Sequence, residues 1–376
     1  MDIERILLFF FAITFLLATF VQILFWLGIF SKFVFYKDKI NLSDEAKNDL
    51  PAVSIVICAK NEAKNLSANL DLILTQTYHS FEVLVIDDNS TDKTYEVLLE
   101  YQKKYSYLRI IKNTYIKKTN GKKAALALGI KEAKHEIVLL TDADCAPKSD
   151  KWVLSSILAL GEKSILLGYG PYEKKKGLLN AFIRFETVVA AIQYFSFAQI
   201  GLPYMGVGRN LCYKKSLFER VGGFSSHENI TSGDDDLFVN QVATKQNTAI
   251  CTHYENFNYS EAKQTWSDFV KQKTRHLTTG KYYRWYHQLL LSIFAGSHAW
   301  HYFSGLILLI FGNLYIALFG YVIRFLVITF LYYLTFKKLR ELSLMTLLPL
   351  LDAMLALYYA IAAPVTLFIA KTKQWK

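Results

Sequence analysis

The chain is poor in the residues that build disulfide or zinc frameworks. Its 376 residues hold four cysteines, Cys58, Cys145, Cys212 and Cys251, widely scattered and with no CxxC pair. That excludes a disulfide-dense scaffold and a zinc knuckle, and leaves ordinary reduced thiols. Charge is scarce too, at 20% of residues. The GxxxxGK[ST], HExxH and GxSxG signatures are absent, which sets aside P-loop, zincin and serine-hydrolase chemistry. Residues 206–211 (GVGRNL) start like a dinucleotide fingerprint but lack its last glycine. No glycine-rich turn follows the first strand, which disfavours a nucleotidyltransferase. Residues 142–146 (DADCA) lack the threonine or valine of an aspartyl-phosphate phosphatase.

What is there is apolar and basic. Apolar residues make up 52% and aromatics 15%, which excludes a disordered chain and exceeds an ordinary soluble domain. The formal charge of +11 fits either a nucleic-acid binder or a membrane protein with a basic cytoplasmic face. The basic residues gather near the apolar ends and no nucleic-acid motif is present, so no nucleic-acid partner is expected.

Residues 6–30 form a nearly unbroken apolar run, long enough to cross a bilayer. A cleaved signal peptide fits poorly. The run is too long, no small-x-small site follows, and Asp2 and Glu4 stand where a basic segment belongs. Lys32, Lys37 and Lys39 flank it downstream, which places that side in the cytoplasm. Hydrophobicity returns at 289–336, long enough for two spans, and at 344–370, for one long span or a tight pair. Lys337, Lys338 and Arg340 mark the loop between them. That loop and the basic tail (Lys371, Lys373, Lys376) both ask for the cytoplasm, which a single span between them cannot allow. Either the last segment is re-entrant or part of 289–336 lies in the interface. Arg324, inside an apolar stretch, needs a partner or a wet cavity unless it snorkels.

The middle alternates strand and helix. Residues 53–58, 81–86, 108–111 and 136–140 read as strands. Residues 62–75, a stretch capped by Thr91 or Asp92 through 103, and 121–133 read as helices. The alternation predicts an α/β, mostly parallel, Rossmann-like sheet, whose ligands bind beyond the carboxyl ends of the strands. Polar clusters stand at those ends, at 59–62, 87–88 and 142–144. Asp142 and Asp144, two apart at a strand end, can converge on one hard cation, Mg²⁺ or Mn²⁺. A lone DxD is as readily a solvated turn; the strand context favours the site. Asp87 and Asp88 adjoin a strand where a carboxylate could accept from a nucleobase N–H or a ribose hydroxyl. Asp234, Asp235 and Asp236 open a helix over 237–243. They either suit the helix dipole or, by mutual repulsion, supply a general base. Residues 271–276 (KQKTRH) are either a basic juxtamembrane face or carry Arg275 to a diphosphate. Residues 169–210 are rich in aromatics, which either pack a core or stack on a sugar or lipid. Glu186 within them either bonds a ligand, pairs near Arg184 or faces solvent.

The set VSIVICAKNEAKNL, QTYHSFEVLVIDDNSTDKT, NGKKAALALGI, LLTDADC, SGDDDLF and QKTRH, in that order, resembles the membrane-bound branch of the family 2 glycosyltransferases. The likeness is to the cellulose synthase and ceramide glucosyltransferase-like branch and runs over residues 51–280 and the flanking spans. It implies a GT-A fold, a nucleotide-sugar donor (UDP- or GDP-sugar), a divalent Mg²⁺ or Mn²⁺ and inversion at the anomeric carbon. The division expected is 1–31 as an N-terminal transmembrane helix, 32–288 as a cytosolic GT-A domain and 289–376 as transmembrane or interfacial helices. By the resemblance Ala59, Glu62 and Asp88 hold the nucleoside, and Lys122 is a lesser candidate for a donor contact. Asp144 takes the metal, and Asp142 the metal or ribose. The base falls on Asp234, or on Asp235 with a one-residue slip, since Gly233 stands in place of the usual glutamate. Gln272 and Arg275 match the Q-x-x-R-W segment, with His276 in place of the tryptophan. That replacement argues against a processive polysaccharide synthase.

The expectation is a membrane-bound inverting glycosyltransferase in a bacterial cell membrane, its catalytic domain cytoplasmic. Its acceptor hydroxyl would belong to a lipid, lipid-linked sugar or glycan precursor, with membrane lipids as partners. The alternatives are a processive synthase and a non-catalytic membrane scaffold.

Overall fold

The computed structural model describes residues 3–42, 50–113, 121–230 and 232–362. Asp2, Asn120 and the basic tail, with the end of the last apolar segment (363–376), lie outside the described residues. The chain forms two compact units.

One unit comprises Lys37–Lys174 and Gly201–Lys263. Its strands are β1 (Val53–Ala59), β2 (Phe81–Asp87), β3 (Leu108–Lys112), β4 (Ile137–Asp142), β5 (Cys145–Pro147), β6 (Ile165–Leu167), β7 (Leu211–Lys214), β8 (Thr248–Ile250) and β9 (Asn258–Ser260). The main sheet runs β3-β2-β1-β4-β7-β6-β8. Its first half is parallel, as the alternation predicts; β7 then runs antiparallel between β4 and β6. β5 and β9 make a separate antiparallel pair.

Burial explains why the first half is so regular. All of β1 (VSIVICA) is buried, as befits a strand covered on both faces. Helices Ala63–Leu74, Thr94–Lys104 and Gly121–Glu132 form the crossovers. The last packs so closely that a Cβ on Gly129 would come 2.4 Å from Ile86 Cδ1 and 2.7 Å from Val56 Cγ1. At the amino end of the sheet the buried Glu82 accepts from Ser54 Oγ (2.7 Å), Arg109 Nη1 (2.9 Å) and Lys134 N (2.6 Å), so its charge is fully partnered.

The register sets the other end. Ala59 pairs with Asp87, and Cys58 with Asp142, so the carboxyl ends of β2, β1 and β4 lie side by side. Asn61 and Asn89, just past β1 and β2, adopt left-handed backbone (φ 57° and 58°). Asn61 Oδ1 accepts from Thr91 N (2.8 Å), and Asn61 N donates to Ser90 Oγ (3.0 Å). Asp92 accepts from Thr94 N (3.0 Å) and Ala63 N (3.2 Å), tying together the starts of the first two crossover helices.

The other unit holds the described residues up to Tyr36, Lys175–Ile200 and 264–362. Among the described residues five helices are long and apolar enough to cross a membrane, by length and composition. They are Ile3–Val34, Leu178–Gln199, Trp285–Phe311, Leu314–Lys338 and Leu342–Ile361. The apolar segment 289–336 thus divides at Gly312 and Asn313, whose side chain caps the second helix. Arg340, at φ 61°, turns the chain where the basic loop is expected.

Arg324 has a partner. Its Nη1 lies 2.6 Å from Asp352 Oδ2, and its Nη2 3.3 Å from Gln22 Oε1. His298 Nε2 stands 3.2 Å from Asp352 Oδ1, and Tyr302 donates to Asp352 Oδ2 (2.8 Å). Arg324 is 2% exposed, so it does not snorkel. Arg184 pairs with Glu341, and Glu186 with Lys273, in the same unit. The aromatics Phe182, Phe185, Tyr194, Phe195 and Phe197 are buried, as core packing requires.

Candidate active site

The site lies at the carboxyl edge of the main sheet. β4 ends in Asp142, and the chain turns through Ala143 to Asp144 and Cys145. One ligand atom from each of Asp142, Asp144 and Cys145 falls within 4.8 Å of the others. Burial pushes the Cys145 thiol up, with Asp144 and Asp142 adding to it, so it is no thiolate. The donor set is therefore two carboxylates, which suits a hard divalent cation sharing its shell with phosphate. Burial, then the Asp142 charge, also raises the Asp144 carboxyl, against the pull of Arg209. A bound cation would relieve that repulsion on Asp144.

Lys122, in the first turn of helix Gly121–Glu132, joins this pair to the acidic triplet. Its Nζ lies 2.9 Å from Asp142 Oδ1 and 3.1 Å from Asp234 Oδ2. Burial opposes its charge, but Asp142 and Asp234 hold it protonated. Burial likewise works against the Asp234 carboxylate, and the Lys122 charge and hydrogen bond bring it below the usual carboxylate range.

The triplet opens helix Asp236–Val242. Gly233 precedes it at φ +98°, where a Cβ would also meet Leu237 Cδ1 at 2.4 Å. A glutamate does not fit that backbone, which accounts for the glycine. Asp235 has both oxygens engaged: Oδ2 accepts from Gly208 N (2.8 Å) and Oδ1 from Asp236 N (2.8 Å). Burial and its two acidic neighbours lift the Asp235 carboxyl to about 7, against the Gly208 N–H.

Lys123, next to Lys122, faces the other way. Its Nζ donates to His227 O (2.8 Å) and Ile230 O (2.9 Å) and meets His227 Nδ1 at 2.9 Å. It thereby pins the loop that leads into the triplet. Burial, then the Lys123 charge, lowers His227 to about 4, so the imidazole is neutral and accepts.

The nucleoside candidates stand on the neighbouring edge. Ala59 ends β1, and its carbonyl accepts from Asp88 N (2.8 Å). Asp88 is fully buried and accepts from Asn113 Nδ2 (2.7 Å). Glu62 accepts from Asn65 Nδ2 (2.6 Å). Burial pushes its carboxyl up, and the Asp144 and Asp142 charges add to that, so Glu62 feels the acidic pair. Thus Ala59, Glu62, Asp88, Lys122, Asp142, Asp144, Asp234 and Asp235 all belong to one unit. Gln272 and Arg275 lie on helix Trp266–Leu277 of the other.

One residue was not singled out from the sequence. Arg209 sits on the turn Gly208–Asn210, and its guanidinium lies 4.2 Å from the centre of the Tyr172 ring. Its Nη1 donates to Ser260 Oγ (2.7 Å). Its charge acts on Asp144 and Asp142. The only sequence signal was a basic residue directly after a Gly-x-Gly turn.

Comparison with known proteins bears on the family and the fold. The model of glycosyl transferase family 2 matches residues 54–181, and that of glycosyl transferase family group 2 matches residues 163–368. A probable glycosyltransferase, YdaM, of Bacillus subtilis is 24% identical over 271 residues, 68% of this chain and 61% of that protein. A beta-monoglucosyldiacylglycerol synthase of Nostoc is 34% identical over 168 residues, 43% of this chain and 34% of that protein. The matched stretch spans less than two thirds of either relative. Among solved structures, the mannosyltransferase PcManGT of Pyrobaculum calidifontis, in complex with GDP-Man and Mn²⁺, aligns with TM-score 0.61 at 18% identity. It covers 96% of this chain and 99% of that one. The shared fold is GT-A.

Proposed function

The chain belongs to glycosyl transferase family 2, and we propose that it moves a sugar from a nucleotide-sugar donor to an acceptor hydroxyl with inversion. One observation carries this reading. Asp142 and Asp234 flank Lys122, with Asp144 next to Asp142, at the carboxyl edge of the parallel half of the sheet, on the same edge as the buried Asp88 and the half-buried Glu62.

Each side chain then has a task. Ala59, Glu62 and Asp88 receive the nucleoside, the Asp88 carboxylate accepting from a base or ribose donor. Asp142 and Asp144 would hold Mg²⁺ or Mn²⁺, which when bound offsets the negative charge growing on the departing nucleoside diphosphate. Lys122 adds a fixed positive charge there and keeps Asp234 ionised. Asp234 takes the acceptor's proton as the hydroxyl oxygen bonds to the anomeric carbon. The bond from that carbon to the phosphate oxygen breaks on the opposite face, so the configuration inverts without a covalent intermediate. Asp234 is preferred to Asp235 as the base because both Asp235 oxygens are committed to backbone N–H groups. For Gln272 and Arg275 a donor role rests on the sequence motif.

The five long apolar helices support a membrane-bound enzyme. With it goes a site at the cytoplasmic face and an acceptor that is a lipid, a lipid-linked sugar or a glycan precursor. A beta-monoglucosyldiacylglycerol synthase among the relatives favours the lipid. The test is transfer by detergent-purified protein from UDP- and GDP-sugars with Mn²⁺ to diacylglycerol and glycolipid acceptors, with the product anomer read by NMR. An inverted product from the wild type, with transfer by D234N lower by about 100-fold or more, is expected. A retained configuration, or full turnover by D234N, overturns the mechanism.

A further inference from the structure

Arg209 is a half-buried cation held at the sheet edge by its backbone and along its side chain. The β4–β7 register sets Leu140 opposite Leu211. Continued past the strand, it brings the turn Gly208–Asn210 to the level of Asp142. Asp235 holds that turn through the Gly208 N–H, and Asn258 Nδ2 holds it through the Arg209 carbonyl (2.7 Å). The same Asn258 nitrogen donates to Thr141 Oγ1 at 2.7 Å, so the turn is tied to β4 itself.

The side chain is then clamped along its length. A Cβ on Gly170 would lie 3.3 Å from Arg209 Cβ and 3.4 Å from Nε, so the glycine leaves the room the side chain fills. Tyr172 stacks on the guanidinium, and Ser260, opposite Cys145 on β9, accepts from Nη1. Among the described residues Ser260 is the one hydrogen-bond acceptor of a guanidinium that offers five N–H donors. A planar fork fixed in place, with donors to spare, matches phosphate geometry.

The strand order says which phosphate. The nucleoside residues stand at β2 and β1, the acidic pair at the end of β4, and Arg209 before β7, the next strand out. A nucleoside diphosphate laid across that edge meets Arg209 with the phosphate distal to its ribose. We propose that Arg209 binds the β-phosphate of the donor and of the released nucleoside diphosphate. The inference rests on the donor site proposed above. It gives Asp235 the part of a positioning residue, acting through Gly208 on the Arg209 turn.

The test is calorimetric titration of the full-length, detergent-purified protein with UMP, UDP, GMP and GDP, each with Mn²⁺. R209Q, R209K and G170A are compared with wild type, and melting temperatures confirm that each is folded. For the base that the wild type binds, R209Q should weaken the diphosphate about tenfold or more and the monophosphate far less. R209K and G170A should show the same selective loss to a smaller extent. Equal loss for mono- and diphosphate, or no loss, overturns the proposal. So does loss of dodecyl phosphate binding with diphosphate affinity intact, which would move Arg209 to a phosphate-bearing acceptor. Failure of the wild type to bind any of the four nucleotides overturns the donor site itself, and is distinguishable for that reason.

Discussion

Asp142 and Asp234 share one ammonium group: Lys122 Nζ stands 2.9 Å from the first and 3.1 Å from the second. A carboxylate at the end of a central strand is thereby coupled to one at the mouth of a distant helix. Without the lysine, two acidic groups would stand close together with no cation between them. K122M is expected to lower the melting temperature and to abolish transfer. K122M/D234N should recover part of the melting temperature and none of the activity. A coupling of about 0.5–3 kcal/mol in the double-mutant cycle is the size such neighbours show. Strict additivity of the two changes would contradict the bridge.

The roles proposed for Asp234 and Asp235 can be separated. D234N should reduce turnover about 100- to 10,000-fold, the range for loss of a general base, with nucleotide affinity close to wild type. D235N should instead weaken nucleoside diphosphate binding, since it disturbs the turn that carries Arg209. Steady-state kinetics with parallel titration calorimetry tells them apart.

His227 gives a pH signature. Its folded value, about 4, lies below the ordinary histidine value of 6.5. Between those values the unfolded chain binds a proton that the folded protein refuses. Stability therefore falls as pH drops from about 6.5 to 4. H227Q cannot titrate, so its melting temperature should fall less steeply over that window. Parallel slopes for the two proteins would remove His227 from the pH response.

Gly129 is a packing prediction. A methyl group there meets Ile86 and Val56 at the centre of the sheet. G129A is expected to cost about 1–3 kcal/mol, as overpacked cores do, despite alanine's better helix propensity. Chemical denaturation measures it.

The parallel half of the fold was legible because its strands are apolar runs broken by polar strand ends. β1, β2 and β4 lie within a residue or two of where their apolar runs predict them. β6 and β8 were not, since three residues carry no period and their pairing is fixed by residues far away in sequence. The acidic pair and the triplet were legible as clusters. That Lys122 joins them was not, because only the fold brings the first turn of its helix to both. Arg209 was hidden for the same reason: Gly170, Tyr172 and Ser260 clamp it from two other segments. The aromatics of 182–197 gave no hint whether they faced a ligand, and they are buried as core.

On the proposed mechanism Asp142 and Asp144 hold the metal of a bound nucleotide sugar. The most direct measurement is the thermal shift and nucleoside-diphosphate release of wild type and D144N against a panel of UDP- and GDP-sugars, with and without Mn²⁺. Stabilisation and release by one nucleotide family, dependent on Mn²⁺ and absent in folded D144N, is the expected result. Folded wild-type protein that answers to no donor, or a D144N that answers as the wild type does, would contradict it.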